Sequence, residues 1–373
     1  MKKIALFIIA GVLFPLTAQQ QVRVPMPPTE RPFWFILEEG KKAFREHEFG
    51  DALALFEEAR AERKARYTRM ETVFINLLSI GEVRRFGDAL DLIEKYIAER
   101  NQFDAAAALD ELVYRVGRPA LRNSAKTALS LFNKLKEYSE GEYWIGEVYR
   151  LEGEYAIALQ QYSKALEIHV EAEKPLWNID LLYKIAETHR IMRNWVQMEA
   201  SLNKILAADT MWSAPESFAR TAMTRTLNDS GINPFLAMFR YNNGATEKAH
   251  RLLGEFCYKS GRHNLAETHL AFAVLIQNSV LIEAARSKRY NFEYTTLDEL
   301  LHEIDRRTEL KNYMAESDYF RTLYYLSAAL YANGKTTSAQ GIWSFLAARA
   351  DAGEWSRRAA NQLRKPFVET TTF

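Results

Sequence analysis

The sequence predicts an all-α fold, a solenoid of stacked helix–turn–helix repeats, on three observations. From Phe33 onward apolar residues recur at helical intervals, and the alternation of a half-buried strand is absent over any useful length. Glycine and proline are scarce, 16 and 10 in 373 residues, and fall mostly where turns are needed. A glycine is followed twelve residues later by an alanine at Gly40/Ala52, Gly146/Ala158 and Gly254/Ala266. Small residues at one fixed interval let two helix backbones approach closely, so the interval reads as one hairpin used repeatedly.

At the start of the chain, Lys2 and Lys3 precede an apolar run from Ile4 to Leu16, with the small residues Thr17 and Ala18 behind it. That is the pattern of a secretory signal peptide over residues 1–18, cleaved after Ala18. The run is short of the ~20 apolar residues of a spanning helix, and Pro15 interrupts its end. Residues 19–32 carry four prolines and no helical period, which predicts an extended linker. The helical-repeat domain is expected over 33–366 and a tail over 367–373. No other long apolar segment stands out, so no integral membrane segment is expected after cleavage. The destination is periplasmic or secreted, and the lack of a cysteine near the cleavage point argues against a lipoprotein.

Residues 143–166, YWIGEVYRLEGEYAIALQQYSKAL, are the most regular stretch. Ile145, Gly146 and Tyr149 are followed by Gly153 and Tyr155 at a turn, then by Ala158, Tyr162 and Ala165. In these residues the segment resembles one tetratricopeptide (TPR) repeat, a helix–turn–helix unit of about 34 residues. The resemblance implies a right-handed superhelical solenoid that serves as a binding scaffold.

Shifting by 40 residues gives a second unit over 183–206, with Ala186 at the glycine position, Trp195 at the turn and Met198 in place of Ala158. An earlier unit is marked by Gly40, Phe49, Ala52, Phe56 and Ala59. Fainter second-helix signatures lie at Phe86/Ala89/Ile93 and Phe103/Ala106. Later units are marked by Gly254, Gly261, Ala266, Leu270 and Ala273, and by Leu326, Leu330, Gly334, Ala339 and Trp343. The helix at 249–256 fits either as a first helix or as the second helix of a unit starting near Pro234. Stretches 107–138, 207–233 and 278–317 read as helical without a repeat register. Glu354–Arg364, with Arg357, Arg358 and Lys365, reads as a polar closing cap.

Composition narrows function by exclusion. The formal charge is +1, becomes −1 once Lys2 and Lys3 leave with the leader, and is interspersed rather than blocked, so no nucleic-acid partner is implied. The one cysteine, Cys257, permits no intramolecular disulfide and takes a packing-tyrosine position, as a buried inert thiol. His250, His263 and His269 cluster in sequence, but His263 and His269 are six apart and share no helical face. No nucleophile elbow, phosphate loop or dinucleotide fingerprint is present. The chain is therefore not expected to be an enzyme, and no cofactor or metal is expected.

In the resembled family the first helix of each pair lines the concave surface. That mapping gives Tyr143, Glu147, Arg150 and Leu151 on one unit, the first three a stripe at i, i+4 and i+7, and Tyr183, Glu187, Arg190 and Ile191 on the next. Arg251, Glu255 and Tyr258, and then Tyr324 and Tyr331, continue it. Tyrosine and arginine are enriched at binding hot spots, so the stripe is the candidate site for a protein or peptide partner in an envelope-associated complex. The same residues also read as ordinary i,i+3 ion pairs and inter-repeat packing. A superhelix closed around an aromatic pocket that binds a small molecule is the alternative.

Overall fold

The structure, a computed structural model, describes residues 31–79, 133–170, 175–213 and 218–369. The expected signal peptide, the linker up to residue 30, and the faint signatures at 86–93 and 103–106 lie outside the described residues. Sixteen α-helices and no strand are found among those described. The expectation of an all-α helical-repeat fold holds.

Five hairpins share one backbone device. They are α1 (Phe33–Arg45) with α2 (Phe49–Ser79), α3 (Ser139–Leu151) with α4 (Tyr155–Val170), and α5 (Pro175–Ile191) with α6 (Trp195–Ala207). After α7 (Thr210–Ser213), α8 (Phe218–Ser230) and α9 (Ile232–Met238) comes α10 (Gly244–Lys259) with α11 (His263–Lys288). After α12 (Leu297–Ile304) and α13 (Thr308–Glu316) comes α14 (Tyr319–Ala332) with α15 (Thr336–Ala347), then α16 (Glu354–Arg364). In each hairpin three residues join the helices and the middle one is left-handed: His47, Gly153, Arg193, Gly261 and Gly334, at φ between 59° and 86°.

The residue after the left-handed one donates its N–H five residues back, as in Glu154 N to Tyr149 O at 2.8 Å and Arg262 N to Cys257 O at 2.8 Å. The left-handed residue bonds three back, as in Gly153 N to Arg150 O at 3.3 Å and Gly334 N to Tyr331 O at 2.9 Å. This is a Schellman stop, which satisfies the last carbonyls of the first helix and aims the chain into the second. Glycine suits it, while His47 and Arg193 show that the hairpin tolerates other residues there at some cost.

The second helices bury one stripe at i, i+4 and i+7: Ala52/Phe56/Ala59, Ala158/Tyr162/Ala165, Met198/Leu202/Ile205, Ala266/Leu270/Ala273 and Ala339/Trp343/Leu346. The recurring glycine meets the middle member of this stripe, sixteen residues on, rather than the alanine twelve residues on. A Cβ placed at Gly146 would lie 2.7 Å from Tyr162 Cε1, one at Gly40 2.6 Å from Phe56 Cε1, and one at Gly254 2.5 Å from Leu270 Cγ. The alanine keeps the second helix thin at the same crossing.

The described residues fall into two compact units. In one, drawn from 31–38, 61–79 and 133–136, Arg63 bonds Leu135 O at 2.9 Å and lies 5.0 Å over the rings of both Phe33 and Tyr67. The other holds 39–60 and 137–369 and contains the remaining elements. There Trp144 of α3 stacks on Phe56 of α2, and Lys41 pairs with Glu140 at 2.6 Å across 99 residues of sequence. These two hairpins are direct neighbours.

Three sequence readings are corrected or completed. Residues 249–256 belong to a first helix, α10, because Gly254 packs on Leu270 of α11. α11 is long and apolar enough to cross a membrane, although no second apolar segment was expected; most of its apolar stretch is buried inside the protein, as in a core helix. Its extra turns carry Asn278, Leu281 and Ile282 into a core with Tyr294, Leu300 and Leu301, so the unregistered stretch 278–317 is the end of α11 followed by an insertion between hairpins. α12 starts on a capping arrangement: Thr296 Oγ1 accepts from Glu299 N, and the Glu299 carboxylate reaches back to Thr295 N at 2.7 Å.

The glycine contacts generate a paired expectation. Gly254→Ala forces its methyl against Leu270, whose backbone N lies 3.1 Å away, and costs about 1–3 kcal/mol. Gly341→Ala, in α15 with open space at its Cβ, is neutral or stabilises by up to about 1 kcal/mol. Urea unfolding of the two variants should move the midpoint in opposite directions, or move only the Gly254 variant.

Candidate interaction face

The turn residues set a common register for the first helices, because Tyr143, Tyr183, Arg251 and Tyr324 all stand ten residues before one. The structure gives the members of the predicted stripe two different jobs.

Glu147 is buried and ties three helices together. Arg150 donates to it at 3.0 and 3.2 Å, Lys184 of α5 at 2.8 Å, and the Tyr162 hydroxyl of α4 also donates to it. Burial alone would raise its carboxyl, but the hydrogen bonds from Arg150, Lys184 and Tyr162 outweigh that and hold it below the usual carboxylate range. Tyr143 is half-buried, with its ring 6.0 Å from that of Tyr162, and burial raises its hydroxyl. Tyr183 links α5 to α10: its hydroxyl donates to Ala245 O at 2.8 Å and accepts from Ala249 N at 2.9 Å. Glu187 is half-buried and Arg190 exposed, and neither makes a side-chain hydrogen bond among the described residues.

The stripe therefore contains inter-hairpin fasteners, Glu147 and Tyr183, with Arg150 bonded to Glu147 on its own helix, beside an outward set at the turn end. Leu151 and Ile191 occupy equivalent positions two residues before the turn residue and are 45% and 40% exposed. Met192 and Val196 extend the apolar surface on the second of these hairpins.

On the later hairpins the corresponding face is filled. Arg251 is buried between Glu247 at 3.4 Å and Asp318 at 2.7 Å, and Glu255 pairs with Arg321 at 2.6 Å. Tyr258 and Tyr324 are almost fully buried, and both hydroxyls bond Glu369. Residues 367–369, expected as part of a tail, are thus docked on this face. Thr370–Phe373 lie outside the described residues. α16 has the expected bounds of the closing cap, but Arg358 turns inward, 4.6 Å over Tyr324 and 4.8 Å over Trp355.

Two buried polar clusters escaped sequence reasoning. Asp209 caps α7 through Met211 N and Trp212 N and accepts from Tyr241, Asn243 and Thr246, locking the approach to α10. His250 Nδ1 and His269 Nδ1 lie 3.1 Å apart on α10 and α11, against Trp212 and Phe272. A helix pairing is needed to see this, because the two histidines are nineteen residues apart. Burial disfavours either imidazolium, pushing His269 down to about 3 and His250 well below its ordinary value. Cys257 is buried with its thiol raised to about 11, in keeping with an inert packing residue. Among the described residues, no three His, Cys, Asp or Glu side chains come together as metal ligands.

A cavity of about 430 Å³ lies along α4 and α5, lined by Leu159, Gln160, Ser163, Lys164, Glu167 and His189. It is open, and no Phe, Tyr or Trp lines it, so it lends no support to an enclosed aromatic pocket.

No protein-family model matches the chain. An uncharacterized protein of Treponema pallidum (strain Nichols) is 25% identical over 333 residues, covering 88% of this chain and 89% of its own length. Among solved structures, the TPR domain of P58(IPK) aligns with 89% of this chain and 98% of its own, at 17% identity and a TM-score of 0.21, too low for any detail to be carried across. The class rests on the five hairpins themselves: an all-α protein of TPR-like helical repeats.

Two stability measurements test these assignments. Glu147→Ala removes the acceptor of Arg150, Lys184 and Tyr162 and costs about 1–3 kcal/mol in urea unfolding, whereas Arg190→Glu stays within about 0.5 kcal/mol. For the histidine pair, the unfolded chain binds protons below about pH 6.5 and the folded chain does not, so stability is full above that pH and is lost toward pH 3. At pH 5 the loss from His269 alone is about 2 kcal/mol. A His250→Leu/His269→Leu chain should show a correspondingly flatter fall in unfolding free energy between pH 7.5 and pH 5.

Proposed function

We propose that this chain is an exported, non-catalytic helical-repeat scaffold that holds a protein partner on the first-helix face of α3 and α5. The observation that carries the reading is the repeated outward apolar residue, Leu151 on one hairpin and Ile191 on the next, the second beside the exposed Arg190. An exposed apolar residue presented twice in the same register is a surface that is stabilised when a partner covers it. Tyr143 and Glu187 flank this set, while Glu147 and Tyr183 keep the two hairpins and α10 in register. A helical-repeat fold supports a binding role because each hairpin presents its first helix in the same way. Export follows from the leader pattern at residues 1–18, with a periplasmic or secreted destination and an envelope-associated partner.

The structure dictates which variants test this, since changing Glu147 or Tyr183 would disturb packing. Leu151→Asp/Arg190→Glu/Ile191→Asp alters exposed positions only. In crosslinking capture from envelope extracts, wild type is expected to retain a specific protein that this triple variant, with an unchanged thermal transition, loses. Equal capture by both removes the α3/α5 face from consideration. Intact mass of the protein recovered from cells should begin at Gln19; a chain retaining Met1 refutes the leader.

A further inference from the structure

Beyond α16 residues 366–369 form neither helix nor strand, and their contacts are those by which a protein holds a peptide. Gln362 meets the peptide groups of Phe367 on both sides, accepting its N–H at 2.9 Å and donating Nε2 to its carbonyl at 3.2 Å. Two residues on, the Glu369 N–H donates to Tyr258 Oη at 3.0 Å. The Glu369 carboxylate accepts from the Tyr324 hydroxyl at 2.7 Å and from Arg358 Nη2 at 2.5 Å. Val368 packs on the core between these anchors, while Phe367 stays 50% exposed. Main-chain groups are thus read at alternate residues whatever their side chains, and selectivity falls on an apolar residue followed by a carboxylate.

None of this is needed to end α16, whose last turn closes through Lys365 N to Asn361 O at 3.0 Å. The groove also stands in the register of the stripe. Tyr258 lies three residues before its turn residue, like Arg150 and Arg190, and Tyr324 lies ten before, like Tyr143 and Tyr183.

We propose that Tyr258, Tyr324, Arg358 and Gln362 form a binding site for an extended acidic segment of a partner protein, an apolar residue followed by glutamate or aspartate, and that residues 366–369 occupy it in cis until the partner displaces them. This deepens the scaffold reading and rests on it, adding a second contact point with defined chemistry. A tethered ligand acts at an effective concentration in the millimolar range, so a short peptide in trans finds the site masked. A partner gains access only by engaging further surface at the same time.

The test uses the full chain and a fluorescein-labelled peptide with the sequence of residues 365–369. In a chain carrying Val368→Gly/Glu369→Ala the site is released, and fluorescence anisotropy should show at least about tenfold tighter peptide binding than in wild type. Adding Arg358→Gln to the released chain, or replacing the peptide's glutamate by glutamine, should abolish that binding. Equal binding to wild type and released chain overturns the proposal, as does no binding to a released chain whose thermal transition matches wild type. If the released chain does not fold, Glu369→Gln, which keeps the size of the side chain and the packing of Val368, takes its place with the same two readings. A concentration-dependent wild-type dimer in sedimentation, lost in Glu369→Gln, would put a second copy's segment in the site and equally overturn it. Capture through Leu151, Arg190 and Ile191 is measured separately, so failure here leaves the scaffold reading standing.

Discussion

Each hairpin depends on one backbone constraint, a left-handed residue at the middle of a three-residue connection. The Schellman bonds around Gly153 or Gly261 stop the first helix and start the second within three residues, which leaves the two axes no freedom to separate. Two helices held that close must have little at their crossing. That requirement puts glycine at positions 40, 146 and 254, with an aromatic or leucine ring or branch from the second helix filling the space. Where the first helix carries Ala186 or Ser327 instead, the second still presents a large buried residue, Leu202 or Trp343. The chemistry at the crossing varies while the turn does not, so the turn is the fixed element from which the packing follows.

Stacking hairpins on one another uses a different kind of contact. Glu142 receives Arg60 and Lys164, Glu147 receives Arg150 and Lys184, and Glu267 receives Lys335. These carboxylates are buried and their partners are half-exposed, so desolvation offsets much of the Coulomb attraction. Their value lies in register: an apolar face slides over another at small cost, whereas a buried carboxylate accepts its cations at one offset only. Tyr183 serves the same end through neutral bonds to the start of α10.

The division between turn and stacking contacts also explains what was legible in the sequence. The turn writes itself locally, in Gly153, Gly261 and Gly334 and in small residues at constant spacing, so the hairpins at 153, 261 and 334 were readable, and the one at 193 followed by offset. The helix between residues 249 and 256 was ambiguous because both of its faces are apolar: Ala249 and Leu253 join the core of α5 and α6, and Gly254 and Cys257 face α11. α11 hid its length for a related reason, since a helix buried on all sides carries no amphipathic signature. The residues of the stripe do lie on first helices, yet the division of their contacts was not readable. Whether Glu147 faces solvent or Lys184 depends on the neighbouring hairpin, and i,i+3 spacing to Arg150 is the same in either case. The histidine pair and the Asp209 cluster are likewise products of tertiary contact, with no local pattern to announce them.

The occupied and open parts of the first-helix face are physically related. Along α3 and α5 the face ends in the exposed Leu151 and Ile191, with the exposed Arg190 next to the second. On α10 and α14 the stripe carries tyrosines, Tyr258 in the register of Arg150 and Tyr324 in that of Tyr143. Tyrosines are poor surface residues when left bare but strong hydrogen-bond partners for a peptide once covered. A single extended segment can satisfy them because its free N–H and C=O groups alternate with the spacing of the tyrosine and glutamine side chains that meet them. Arg358 completes the arrangement from α16: stacked on Tyr324 and Trp355, its guanidinium is held by two rings and is already oriented when a carboxylate arrives. A cation preorganised in this way recognises a carboxylate wherever it comes from, and the chain's own Glu369 is the nearest one. Closure of the face by residues 366–369 is then the resting arrangement of a surface built to take an acidic strand.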